Sequence, residues 1–308
     1  MNIVYQTVTK EWTQIPKICN TNNHKLNEHK HLSGATEEIS SDEYRHQLSL
    51  TNKNVWNQYF PDPQETIKIH LSYSYCKILE QASVVGYLKR GRPSNIEELE
   101  EIENYIRTFL PDTSTKPWFV RVNEASPKDG LYDAGPLLSA KDIVTSLSTS
   151  LRIHKAFNSL KPACGDILYL VPWRRDWNEE LEFRVFVHEG RVTCFSQYVW
   201  HRDVGWGGNS NSIQIVSAKI LEFCNNKVIP IFPLTSYVVD VIIILETDVK
   251  IREINEDTKL IVEVIEFNSF GVELASGSAL FHWINDFDIL YGKYDSVVVK
   301  YVSEEIKN

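Results

Sequence analysis

The sequence predicts an α+β chain, and three observations carry that prediction. Two long apolar, β-branched runs, Tyr237–Leu245 and Leu260–Asn268, flank a charged stretch and read as a hairpin. A second hairpin is expected from residues 181–187 and 191–198, turning through Glu189 and Gly190. Ahead of both, Ile96, Leu99, Ile102, Ile106 and Leu110 recur at the spacing of one helix face.

Composition narrows the class. The chain has 308 residues, a net charge of −9 and 43% hydrophobic residues, enough for one large domain or two modest ones. Aromatic residues reach 11%, which argues against disorder. The apolar runs are too short to span a bilayer. The first residues lack the basic flank and apolar stretch of a secretory signal. Five scattered cysteines with no CxxC spacing support neither zinc nor a disulfide framework, and a reducing, cytoplasmic setting is expected. Net acidity argues against a broad nucleic-acid surface and leaves a local basic cleft open.

Residues 1 to about 50 are polar, and 20–41 reads as a loop or mobile arm. His24, His29, His31 and His46 there are solvated loop residues or a metal site lacking the usual partners. Trp56, Tyr59 and Phe60 precede a Pro-Asp-Pro turn, and residues 66–71 alternate as a strand. Ile78, Leu79, Val84, Val85 and Leu88 suggest a buried segment ending in a basic turn at 89–93. Ser94 or Asn95 can cap the following helix, whose Glu97 to Glu103 acids read as a solvated face.

A short strand then places Arg121 and Asn123 on one face and runs into the turn SPKDG at 126–130. Such a turn offers backbone N–H groups and a lysine to phosphates, or is an ordinary surface turn. Ser139 opens an amphipathic helix with the stripe Ile143, Leu147 and Leu151. Residues 167–171 form a short apolar strand. Glu182 and Arg184 share a strand face, as a surface ion pair or part of a polar cleft. Residues 201–211 read as a mobile loop, 213–228 as a helix, and Leu280, Phe281, Trp283, Ile284 and Leu290 as a closing helical cap.

The hairpin Tyr237–Asn268 organises the rest. Glu266 and Asn268 point the same way, roughly 7 Å apart along the strand. If the turn closes symmetrically about Glu253, Asp240 lies opposite Glu266 on the same face. Two carboxylates and an amide oxygen suit Mg²⁺ held partly by protein and partly by nucleotide phosphates. The same residues also serve as solvated acids at a sheet rim.

Taken in order, several motifs resemble the cell-division-cycle protein 123 family. They are FVRVNEASPKDG at 119–130, EFRVFV at 182–187 with SQY at 196–198, and EFN at 266–268. The resemblance runs from Trp56 to Leu290. It implies an ATP-grasp-like fold, with ATP and Mg²⁺ between two α+β lobes. Residues 1–55 would be a poorly matched arm, 56–165 the N-terminal lobe and 166–308 the C-terminal lobe carrying the metal hairpin. Arg121, beside Asn123, stands where the family has a nucleotide-contacting lysine. Ser126, Lys128 and Asp129 fall in its phosphate-side turn, and Tyr169, Leu170 and Val171 in a hinge strand whose backbone meets adenine. Arg184 lies in the Glu-Phe-Arg motif, and Asp240, Glu266 and Asn268 match the metal ligands.

This chain departs from the pattern in having Arg for Lys at 121, Glu124-Ala125 for Trp-Ser, Glu266 for Asp and Ser269 for Pro. The resemblance implies an ATP-binding assembly chaperone engaging the gamma subunit of eukaryotic translation initiation factor 2, or a related partner. An ATP-grasp-type ligase or phosphoryl or nucleotidyl transferase is the alternative, and a scaffold without nucleotide a third.

Overall fold

The structure is a computed structural model describing residues 2–8, 41–62, 65–93, 97–111, 116–208, 210–246, 249–271, 274 and 276–303. The 20–41 stretch with His24, His29 and His31 lies outside these residues except for Ser41, as do Ser94, Asn95 and Ile96. The chain divides into two compact units, Met1–Thr51 with Asp176–Asn308, and Asn52–Arg175.

In the Asn52–Arg175 unit the elements follow as α2 (Lys53–Trp56), β2 (Ile67–Leu71), α3 (Tyr73–Lys89), α4 (Glu97–Arg107), β3 (Trp118–Arg121), α5 (Ala140–Leu147), α6 (Leu151–Asn158) and β4 (Asp166–Pro172). The strands form an antiparallel sheet of order β2-β4-β3. Alternation sends Ile69, Val120, Leu168 and Leu170 to one side, where they pack with Leu79, Leu99, Ile102, Ile143, Leu147 and Phe157. Helix α4 keeps its expected stripe, with Leu99, Ile102 and Ile106 fully buried and Glu97, Glu98 and Glu100 exposed.

Two expectations in this unit are corrected. The face that α3 buries is Cys76, Leu79, Ala82, Ser83 and Gly86, while Val85 and Leu88 are exposed. Small residues win because the helix runs against the 148–149 backbone, where a Cβ at Gly86 would overlap the Ser148 carbonyl oxygen. The stripe Ile143, Leu147, Leu151 belongs to two helices rather than one. Ser150 leaves the helical conformation, and its side chain accepts a bond from Ile153 N to cap α6.

The other unit contains β1 (Asn2–Val8), α1 (Ser41–Ser49), β5 (Glu182–His188), β6 (Arg191–Gln197), α7 (Ser210–Phe223), β7 (Tyr237–Leu245), β8 (Leu260–Asn268), α8 (Phe287–Leu290) and β9 (Ser296–Val302). His46 lies in α1. The six-stranded sheet has the order β1-β9-β6-β5-β7-β8, with β9 parallel to both β1 and β6 and the other pairs antiparallel.

Neither β1 nor β9 is among the expected strands; the β-branched run at 297–302 carries a local strand signal, but its pairing with a segment almost 300 residues away does not. Helix α7 ends at Phe223 and a single π-helical turn, Cys224–Val228, completes the expected 213–228 segment. The 201–211 loop is anchored by Trp206, fully buried against Phe183. The expected helical cap is mostly turns around the four residues of α8, and its side chains instead build an aromatic cluster. Phe281 and Trp283 both meet Phe186 edge-on. No helix among the described residues is long and apolar enough to cross a membrane.

Candidate functional site

A polar row crosses the six-stranded sheet. Register sets Ser196 on β6 opposite Arg184 on β5, Arg184 opposite Asp240 on β7, and Asp240 opposite Glu266 on β8. On the far side, Lys300 of β9 stands opposite Ser196, and Gln6 of β1 opposite Lys300. One step along, Asn268 stands opposite Val238. Directly opposed residues share a face, so all of these project to one side of the sheet.

The row depends on an irregularity in β8. At the turn end Leu245 pairs Leu260 and Val241 pairs Val264, a register that would set Ile265 against Asp240. A bulge between Asp240 and Val241 shifts the ladder by one, and Glu266 takes that place. Glu266 and Asn268 therefore join the face of Asp240 because β8 carries one extra residue.

Asp240 is 2% exposed and Arg184 5%, so their pairing is not a surface contact. Arg184 Nε and Nη2 donate to the two Asp240 carboxylate oxygens at 2.8 and 2.7 Å. Its Nη1 donates to Gly277 O, and its guanidinium lies 4.9 Å from the Tyr198 ring. Burial disfavours the guanidinium charge, but the Asp240 carboxylate and its hydrogen bonds outweigh this and the pKa is raised. Asn268 Nδ2 donates to Asp240 Oδ2 at 3.3 Å. Of the two readings of Glu182 and Arg184, a surface ion pair is excluded by burial: Glu182 is itself buried and accepts from Trp177 Nε1 at 2.6 Å.

Lys300 escapes the sequence reading. It is buried, donates to Asp286 Oδ1 at 2.8 Å and lies 4.6 Å from the Phe281 ring centre. Its signal is that of Asp240, one charge interrupting an apolar β-branched run.

In the Asn52–Arg175 unit, Lys68, Tyr169 and Arg121 form a row across β2, β4 and β3, on the face opposite the apolar core and beside α2. Arg121 lies 5.9 Å from the Trp56 ring, and Lys53 lies 4.3 Å from it while pairing with Asp62 at 2.8 Å. Asn123 Oδ1 accepts from Tyr169 Oη at 3.0 Å and Asn54 N at 3.2 Å, and its Nδ2 donates to Asp166. Arg121, Asn123 and Tyr169 are thus brought together.

The hinge residues have another use for their backbone. Tyr169 and Leu170 have ladder partners on both flanks, and the Leu170 side chain is in the core. Tyr169 therefore presents its ring to the polar face. Val171 pairs with Phe119 on β3, past the end of the β2 ladder.

The 126–130 turn is tied to α6. Asp129 accepts from Ser150 Oγ and Arg152 N, and Arg152 Nε donates to Ser126 O at 2.9 Å. Lys128 N and Gly130 N close the turn on Ser126 O and Pro127 O. Those two N–H groups are engaged internally, and the turn presents the partly exposed Lys128 side chain.

Asp166 carries a testable consequence. Burial pushes its carboxyl up to about 6, against opposing hydrogen bonds from Ile167 N and Asn123. The folded value lies above the unfolded one, so the proton stabilises the fold. That contribution is full below about pH 4 and is lost as pH rises through about 6. Asp166→Asn keeps an acceptor for both donors and is expected to raise stability at pH 8 by about 2 kcal/mol while flattening the slope. Urea unfolding at pH 5 and pH 8 measures it, and an unchanged slope would assign the titration elsewhere.

The architecture defines an α+β protein with a row of charged and polar residues on one face of its six-stranded sheet. Residues 88–307, more than half of the chain, match the D123 family model, and the chain belongs to the D123 family. Among solved structures it is similar to Cdc123 from Schizosaccharomyces pombe, with a TM-score of 0.60 and 17% identity over 87% of this chain and 100% of that one. A C-terminally truncated form of the same yeast protein matches with a TM-score of 0.54 over the same shares. At that identity the likeness is one of fold. No curated protein sequence matches the chain.

Proposed function

We propose that this chain is an ATP-binding assembly chaperone of ATP-grasp-like type. It acts with Mg²⁺ on the gamma subunit of translation initiation factor 2 or a related partner. The observation that carries the reading is the alignment of Asp240, Glu266 and Asn268 on one sheet face beside the buried Arg184. The donor set fits magnesium once the Asn268 amide turns its Oδ1 toward Asp240: two carboxylates and an amide oxygen, too few to complete an octahedron without phosphate or water. Asp240 already takes a cationic partner, the Arg184 guanidinium, and this supports the reading that the site holds positive charge. Arg121, Lys128 and Tyr169 are the proposed nucleotide contacts of the Asn52–Arg175 unit. Asn123, Ser126 and Asp129 hold their surroundings in place, and Val171 is the part of the hinge strand nearest its exit from the sheet. Partner and nucleotide roles rest on the family resemblance joined to this geometry.

A thermal-stability titration with ATP, ADP and GTP, with and without Mg²⁺, tests the reading. A Mg²⁺-dependent, adenine-selective shift is expected, worth about 2.7 kcal/mol at a hundredfold excess over Kd. Asn268→Ala should abolish it while leaving the native fold, since Asn268 is only half-buried. No shift with any nucleotide overturns the proposal. ATP consumption followed in the same samples separates a slow chaperone from a transferase.

A further inference from the structure

We propose that Arg184 is the resident counter-cation of Asp240, and that it yields this carboxylate to a divalent metal only when a polyphosphate is present to receive the guanidinium. The inference rests on the nucleotide reading above and adds a rule of order to it.

The geometry already has Asp240 in use. Its two oxygens take donors from Arg184 Nε and Nη2, and Oδ2 takes a third from Asn268 Nδ2. A bare metal ion arriving here must displace the bidentate guanidinium. It must also turn the Asn268 amide through half a rotation, so that Oδ1 replaces Nδ2. The guanidinium left behind would keep the Gly277 carbonyl and the Tyr198 ring as neighbours, at a position 5% exposed. Neither carries a formal negative charge, and Glu266, the other carboxylate that favours the guanidinium, would be taken up by the same metal, so the displaced cation is strongly disfavoured. Magnesium also gives up its water reluctantly and prefers to share a few carboxylates with phosphate oxygens.

A polyphosphate changes both sides of the exchange. It supplies oxygen ligands to the metal, and it presents an anion whose geometry matches the planar fork of Arg184. Metal and polyphosphate binding are therefore coupled through one side chain, and linkage requires the coupling to be reciprocal. Glu266, opposite Asp240, adds negative charge that holds whichever cation is present.

Mn²⁺ titration of the full chain, read by the loss of free-ion electron paramagnetic resonance signal, tests this with and without a non-hydrolysable ATP analogue. The native chain is expected to bind Mn²⁺ about tenfold or more tightly with the analogue than alone. Arg184→Gln removes the charge that competes for Asp240, so Mn²⁺ alone should bind about tenfold more tightly than to the native chain, and the analogue's enhancement should shrink by a similar factor. Arg184→Lys keeps the charge without the fork and should fall between the two. It carries the test if the Gln variant does not fold.

Manganese binding that is the same in the native chain and both variants overturns the counter-cation role, even if the analogue still enhances it. Tighter Mn²⁺ binding in the variants, with no effect of the analogue on the native chain, supports the counter-cation and overturns the nucleotide reading instead.

Discussion

Asp240→Ala is expected to destabilise the chain by about 3–5 kcal/mol, because it strands a buried arginine. Asp240 supplies both carboxylate hydrogen bonds to Arg184, and the Gly277 carbonyl, the Tyr198 ring and the charge of Glu266 two strands away make up that loss only in part. Arg184→Ala should cost a comparable amount by stranding Asp240. Combined, the two changes should cost much less than their sum, since the double variant leaves neither charge alone. Replacing the pair by apolar residues of similar volume could even be neutral, so the pair is evidence of a role for the charges rather than of net stability. Urea unfolding of the four chains gives the coupling directly. Additive costs would show that the two side chains do not depend on each other.

Gly86→Ala is expected to cost about 3 kcal/mol, more than a buried methyl normally would. The added carbon meets a main-chain carbonyl, Ser148 O, with the Thr149 side chain beside it. A side chain could rotate away, but this carbonyl is held by the turn that caps α6 through Ser150. The usual gain of alanine over glycine in a helix, about 1 kcal/mol, is therefore overridden by the overlap. Thermal unfolding measures the result, and a stabilised variant would show that α3 can move away from the 148–149 backbone.

These two sites differ in how far the sequence discloses them. Asp240 is legible because a lone acid interrupts a β-branched run, and Glu266 with Asn268 as a same-face pair at a strand end, but that pair shares the face of Asp240 through the bulge and not through symmetric closure about Glu253. The same rule applied to β9 would have found Lys300. The partner of Arg184 is not legible. It lies 56 residues away, and only the neighbour order β5-β7 brings the two together. Glu182, two residues away on the same strand face, is the nearer candidate by pattern.

In α3 the apolar residues mislead, since Val85 and Leu88 are exposed while Ser83 and Gly86 are buried. Helix faces follow backbone proximity as well as hydrophobicity, and proximity is a tertiary property. The turn at 126–130 is legible as a turn, but Asp129's service to α6 requires knowing where Ser150 lies.

The extra residue in β8 also bears on how this hairpin tolerates change. Between Leu245 and Leu260 lies a 14-residue connection, while the site lies beyond the bulge at the opposite end. Length variation in the connection can be taken up there, and the pairing of Asp240 with Glu266 is set separately. Five ladder pairs, from Val241 with Val264 to Leu245 with Leu260, stand between the loop and that pairing. A one-residue deletion at Ile265 would restore a continuous ladder and keep Glu266 in place, whereas the same deletion at Phe267 would bring Ser269 where Asn268 now stands.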